Sequence, residues 1–338
     1  MIQSKNIQLT PREEAILKAT IEDYIETIQP VGSSFLKRVH HFDWSPATIR
    51  HSLARLESFG LLTHPFTSAG RMPTDAGYRY YVDHLMNADD VDIALDEMLE
   101  ELKRFNNQID NLLSATAIVL ARSSQLLGVV LLSNVRKSIL TGLELIELSS
   151  ERIMLVLEVD SGLIQSLVLN LNVAIDRTRL AKINRVLREM LIGLTLEDIR
   201  ESFQHRVQEA DVSDHEIVQI LLKKPAAYFS FDTGEKVFTS SFEPLLQYPE
   251  FQNIEAIRDI ISGLSSGSIK SYLKEISQDT VIGHENEDER FHDCAILKCD
   301  FHLDSLQGRL AVIGPKRLPY RIVSKTLNTF AELLPYVI

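Results

Sequence analysis

Apolar positions along the first part of the chain recur with helical spacing, and the runs are separated by clear stops. Thr10 and Glu13 flank Pro11 as a capping box, which opens a helix to about Ile28 with Leu17, Ile21, Tyr24 and Ile28 inward. Gln29-Pro30-Val31-Gly32 breaks it, and Ser33 can cap a short helix through Val39. His40-His41-Phe42-Asp43 then leads, as a solvated turn, to a third helix. Ser45 is a ready N-cap there, and Pro46 suits the first helical position, where its missing N–H is not needed. Ile49, Leu53 and Leu56 form a core-facing stripe, and Gly60 supplies a left-handed stop. Leu61–His64 and Arg71–Pro73 suit short strands around the small-residue turn Thr67-Ser68-Ala69-Gly70. Thr74 caps a further helix whose Tyr78, Tyr81, Val82 and Leu85 can pack back on this module.

From Asp89 to about Gln125 the pattern stays helical, with Leu95, Met98, Leu102, Phe105, Ile109, Leu112, Thr116 and Val119 alternating by three and four. Extra apolar positions at Leu99, Leu113, Ile118 and Leu120 make this stripe wider than a coiled-coil seam, which favours packing on a sheet. Gly128–Ser133, Leu140–Leu148, Arg152–Val159 and Leu163–Leu169 read as strands of one antiparallel meander. Cys294–His302 and Arg309–Ile313 read as its continuation, and Ser324–Leu334 as a closing helix. The mostly helical block between them, about Ile175–Ser277, therefore looks inserted.

The outward face of the third helix carries Ala47, Thr48, Arg50, His51, Arg55 and Ser58, with Glu57 its only acid. Short side chains permit close approach to a DNA major groove, and arginine can fork onto guanine or phosphate. A helix followed by a β-hairpin ending in Arg71 describes a winged helix-turn-helix, with the wing reaching phosphate or a narrow minor groove. The expected DNA contacts are Ser45, Ala47, Thr48, Arg50, His51, Arg55, Thr67, Ser68 and Arg71. Periodicity alone leaves an amphipathic helix with a surface hairpin as the alternative.

Charge distribution sharpens the picture more than composition does. The 338 residues carry a net charge of −12. Residues 1–88 hold nine Lys/Arg and nine Asp/Glu, so all the excess acid lies in the remaining 250 residues. A chain built this way is expected to meet DNA through one small face and to be repelled elsewhere. The length suits two or three domains. The first residues are polar and the longest apolar run, Leu126–Leu132, is too short to span a bilayer, so a soluble cytoplasmic protein is expected. Cys294 and Cys299 fit neither zinc spacing nor a disulfide framework, and no metal or cofactor is expected. Gly263-Leu264-Ser265-Ser266-Gly267 satisfies G-x-S-x-G, but an amphipathic helix precedes it where a nucleophile elbow needs a strand. Phosphate-binding glycine loops and zinc-protease spacing are absent from the sequence, so the chain is not read as an enzyme.

Several segments together resemble the HrcA family of heat-inducible transcription repressors. They are Val31-Gly32-Ser33, Ser45-Pro46-Ala47-Thr48-Ile49-Arg50, Thr67-Ser68-Ala69-Gly70-Arg71-Met72-Pro73-Thr74-Asp75 and Gly77-Tyr78-Arg79-Tyr80-Tyr81-Val82-Asp83. The likeness returns in Val281-Ile282-Gly283-His284-Glu285-Asn286 and in Gly308–Tyr320, with a weaker match at Pro249-Glu250-Phe251. His51 and Phe66 stand where the family usually has Asn and His. The resemblance implies an α+β multidomain fold: an N-terminal winged helix-turn-helix, a GAF-like antiparallel sheet domain, and an inserted, mostly helical dimerisation domain. Placed on this chain, that gives residues 1–88, 89–174 with 278–338, and 175–277 respectively. It further implies a dimeric repressor of chaperone operons that binds an inverted-repeat operator, loses activity on heat shock, and needs the chaperonin to reach its active form. Two other readings stand beside it: a regulator whose GAF-like domain senses a metabolite, and an interaction protein whose winged helix meets protein. Clustering of Arg50, Arg55 and Arg71 on one outward face would count against the last.

Overall fold

The computed structural model describes residues 7–65, 70–87, 95–104, 109–133, 138–160, 162–208, 213, 215–229, 236–265, 268–303 and 306–337. The fold mixes helices and antiparallel sheets in the α+β manner. The first helix, α1 (Pro11–Thr27), opens with the expected capping box: Thr10 N–H donates to Glu13 Oε2 at 2.9 Å, and Glu13 N–H to Thr10 Oγ1 at 3.4 Å. Leu17 and Ile21 are fully buried. Ile28, expected inward, instead takes the left-handed C-cap conformation (φ 60°) and is exposed, because the chain turns there. α2 (Ser33–Val39) and α3 (Pro46–Ser58) follow, joined by a turn at His40–Trp44. His41 and Asp43 of that turn are exposed, as expected, while His40 anchors it, with Nε2 2.9 Å from Asp23 Oδ2 and its ring stacked on Phe42. β1 (Leu62–Thr63) pairs antiparallel with β2 (Met72–Pro73). α4 (Asp75–Tyr80), capped by Thr74, runs on into a wide π turn over Tyr81–Leu85.

α5 (Leu95–Lys103) and α6 (Ile109–Ser124) are two helices rather than one long stripe, and residues 105–108 between them, Phe105 included, lie outside the described residues. Leu112, Leu113, Val119 and Leu120 of α6 are buried and the helix packs on a sheet, as the wide apolar stripe predicts. Ile118, one of the positions that widened it, is exposed, and the side chain of Leu99 lies outside the described residues. The contact is close. A Cβ on Gly128 would stand 2.3 Å from the Ala117 carbonyl oxygen, so only glycine lets that strand approach α6.

The strand it belongs to, β3 (Leu127–Ser133), does not continue into the next three. β4 (Leu140–Ser149), β5 (Arg152–Val159) and β6 (Ile164–Asn170) form a separate three-stranded sheet. They bury Leu143, Leu145, Ile153, Leu155 and Leu157 on one face. α7 (Arg177–Leu191) packs against β4 and turns Leu180, Ile183, Leu187 and Leu191 inward. α8 (Leu196–Gln208), α9 (Glu216–Lys223) and α10 (Pro225–Tyr228) close this unit, with Phe203 and Phe229 in ring contact at 4.8 Å. The expected single meander is thus corrected. Hairpin-joined strands satisfy one another locally and bury their apolar face on the helix that follows them, so they have no need of the other sheet.

The chain then rejoins β3 directly. β7 (Val237–Thr239) pairs with it, Val129 opposite Thr239 and Leu131 opposite Val237. After α11 (Ile254–Ser265) and α12 (Ser268–Glu275) come β8 (Thr280–Ile282), β9 (Cys294–Leu303) and β10 (Leu306–Pro315). The five-stranded order is β7-β3-β10-β9-β8, all antiparallel, with Leu127 opposite Ile313 and Leu131 opposite Arg309. α13 (Tyr320–Leu333) and α6 pack together against this sheet. Cys294 and Cys299 are free thiols on β9, and burial pushes both up to about 12. α11 runs to Ser265, so a helix leads into the G-x-S-x-G stretch and the strand of a nucleophile elbow is missing there. Among the described residues no helix is long and apolar enough to cross a membrane, and no group of three His, Cys, Asp or Glu is placed to hold a metal ion.

Candidate nucleic-acid interface

α3 presents its two faces as its apolar stripe requires. Ile49, Ser52, Leu53 and Leu56 are buried against the other helices of the module. Ser45 caps the helix, accepting from Thr48 N–H at 3.1 Å while its hydroxyl meets the Thr48 hydroxyl at 2.9 Å. Ala47, Arg50 and His51 stand exposed on the outer face near the helix start, and Thr48 is half-buried beside them. Among the described residues no carboxylate pairs with Arg50.

The other two arginines differ. Arg55 directs Nε to buried Glu13 at 3.1 Å and lies over the Phe59 ring, 5.4 Å from its centre. Burial of Glu13 is outweighed by hydrogen bonds from Thr10 and by the Arg55 and Arg12 charges, which hold its carboxyl below the usual range. Arg55 therefore joins α3 to α1. Arg71 is bonded through its backbone to Val31 in both directions at 2.8 Å, which attaches the β1–β2 pair to the residues just before α2. Its guanidinium pairs with Glu57 at 2.8 Å, and Glu57 is shared with His64. Thr67 and Ser68 lie outside the described residues. Of the three arginines expected to cluster outward, Arg55 and Arg71 are paired with acids, and among the described residues Arg50 has no acidic partner. Arg38, exposed at the end of α2, lies over the Phe35 ring, 5.7 Å from its centre.

A second feature escaped it entirely. The motif Asp75–Tyr81 does more than pack back on its own module, because it docks on the motifs near the other end of the chain. Arg79 donates from Nε to Glu285 Oε1 at 2.8 Å, also bonds Glu285 Oε2 through Nη2, and reaches the Thr280 carbonyl at 2.7 Å. Asp75 accepts from His284 N–H at 3.0 Å, lies 2.8 Å from His284 Nδ1, and pairs with Lys316 at 3.2 Å. Its burial is outweighed by those partners, so its carboxyl sits below the usual range. Gly283, at φ 54°, brings the backbone so near that a Cβ would stand 2.2 Å from Asp75 Oδ2. Tyr78 and Tyr81 flank buried Tyr320 with ring centres 5.7 and 6.4 Å away. Arg317 pairs with Glu250 and lies 3.5 Å from the Ile25 carbonyl, while Arg321 reaches Glu22 at 3.5 Å and the Asn87 carbonyl at 3.0 Å. A cleft of about 1420 Å³ lies beside this contact, with Phe59, Tyr80, His84, Tyr272 and Glu287 among its walls.

A three-helix corner with Arg50 exposed on its outer helix is carried on a larger α+β body, and the comparisons with known proteins place the chain among transcription regulators. Residues 110–323 match the family described as HrcA protein C terminal domain. The chain is 32% identical over 338 residues to the heat-inducible transcription repressor HrcA of Chlorobium chlorochromatii, covering 97% of each chain. It is 33% identical over 345 residues to that of Chlorobaculum tepidum, covering 96% of each. With the repressor of Halalkalibacterium halodurans it shares 31% identity over 322 residues and 93% of each chain. A crystal structure of a hypothetical protein at 2.2 Å resolution has the same fold, with a TM-score of 0.60, 20% identity, and coverage of 98% of this chain and 100% of that one. The chain belongs to the HrcA family of heat-inducible transcription repressors. Its function is accordingly heat-shock transcriptional repression, which implies binding to DNA.

Proposed function

We propose that the chain represses chaperone operons by binding an inverted-repeat operator as a homodimer, with one α3 in the major groove of each half-site. The observation that carries this reading is the outer face of α3, where Arg50 is exposed beside Ala47 and His51 with no carboxylate partner among the described residues. Arg50 is the base-reading residue. Ser45 and Thr48 contribute the helix N-terminus, while Arg55 and Arg71 act from their ion pairs as backbone-facing charges. The β1–β2 pair serves as the wing.

The sheet topology supports a revised division of the chain. Residues up to 87 form the winged helix-turn-helix, 95–133 with 236–337 the GAF-like body, and 138–229 the inserted dimerisation unit. That unit leaves the body after β3 and returns at β7, which pairs with it. Its sheet has an outer face on which Ile146, Met154 and Val168 lie in register across three strands. Ile146, Leu148, Ile164 and Val168 are all exposed there, Ile164 at 66%. Apolar area of this kind on a water-facing sheet suits an isologous contact with a second copy.

Heat acts through folding. β3 and β10 carry buried apolar residues and must find each other across the inserted unit, which is slow and leaves sticky strands open meanwhile. That is a physical reason for chaperonin dependence. A salt titration of binding to an inverted-repeat operator and a scrambled duplex tests the reading. Selective binding whose logarithm falls linearly with log salt is expected, and equal binding to both duplexes would remove it.

A further inference from the structure

We propose that Asp75 and Arg79 are positioning residues that set the half-site spacing this repressor accepts, by fixing the angle of the N-terminal module on the body. The inference rests on the reading of the chain as a dimer on an inverted repeat. In such a dimer the separation and rotation of the two α3 helices depend on how rigidly each module is held, because half-sites lie one helical turn or a multiple apart. One tether would let a module swivel. Here the tethers fall on three segments of the N-terminal part: Asp75 and Arg79 on α4, Glu22 and Ile25 on α1, and Asn87 beyond the π turn. The body answers from two segments, 280–285 and 316–321, with Tyr320 of the second in tilted and edge-on ring contact with Tyr78 and Tyr81. Arg79 and Glu285 form a two-pronged pair, a geometry that constrains direction as well as distance. None of these contacts covers the outer face of α3, where Arg50 and His51 remain exposed. The clasp therefore does not mask the DNA-facing side; it aims it.

The full-length dimer should be measured on three duplexes: the native operator, the same half-sites with the spacer altered by about half a helical turn, roughly 5 bp, and a single half-site. Wild type should prefer native spacing. R79E and E285R singly should lose that preference by at least about tenfold, as the two-site advantage falls, with half-site affinity within about twofold of wild type. The R79E/E285R double variant should recover the preference. Three outcomes would overturn the proposal: an unchanged spacing preference in the single variants, a parallel loss on operator and half-site that the double variant does not repair, or tighter operator binding than wild type. A wild-type protein that does not distinguish operator from scrambled duplex would instead sink the underlying DNA reading.

Discussion

Arg79 and Glu285 lie 206 positions apart in the chain, yet Nε of one stands 2.8 Å from Oε1 of the other. Both belong to short motifs that the sequence singles out separately. Their meeting makes each of these two distant segments half of one contact between the N-terminal module and the rest of the chain.

Arg50→Ala should lower operator affinity by about 1–3 kcal/mol and reduce discrimination between operator and scrambled duplex, as loss of a bidentate base contact does. Binding isotherms on both duplexes check it. Wild-type discrimination in the variant would place base reading elsewhere on α3.

Arg71 is held by Glu57, and that pair makes two substitutions diverge. Arg71→Ala should weaken all duplexes alike and flatten the salt slope by about one unit. Glu57→Gln, which leaves the arginine and removes the nearby negative charge, should strengthen binding to every duplex. The pair is partly exposed, so the stability change from either substitution should stay within about 1 kcal/mol. Salt titrations with thermal melts separate the two effects.

If the proposed dimer forms on this sheet face, Ile146→Asp together with Val168→Asp should make the protein monomeric while leaving the fold intact, because both side chains already face water in the single chain. Light scattering reads the mass and circular dichroism the fold. A dimer that survives the double substitution would move the interface off this sheet face.

Gly283→Ala should cost about 1 kcal/mol or more, since alanine is strained at φ 54° and its Cβ would collide with the Asp75 carboxylate. Limited proteolysis should then cut more readily between module and body. An unaltered melting temperature with unaltered protection would show that the clasp yields freely.

The pH dependence follows from Asp75, whose carboxyl is held low by His284 and Lys316. A depressed carboxylate contributes stability that is present above its unfolded value, about 3.9, and is lost as pH falls through the lower folded value. Wild type should therefore lose clasp stability on acidification below about pH 4, and Asp75→Asn should already lack that contribution at neutral pH. Melting curves from pH 7 to 3 that superimpose for the two proteins would remove Asp75 from the clasp energetics.

The amino-acid sequence by itself determined the local features of this protein. The Thr10–Glu13 box, the Ser45 and Thr74 caps, the buried Ile49, Leu53 and Leu56, and the strand character of 140–170 all follow from spacing and cap chemistry within a few residues. Charge placement likewise marked the N-terminal module as the part free of the chain's excess acid. Tertiary structure alone decided which strands share a sheet, because alternation records that a residue is buried without recording against what. It also decided which arginines keep their charge available: Arg55 and Arg71 are matched to acids that turns and helix packing bring near, and among the described residues Arg50 is not. The clasp is the extreme case. Ion pairs spanning two hundred residues obey no spacing rule along the chain, and only the folded path that carries Gly283 against Asp75 brings them together.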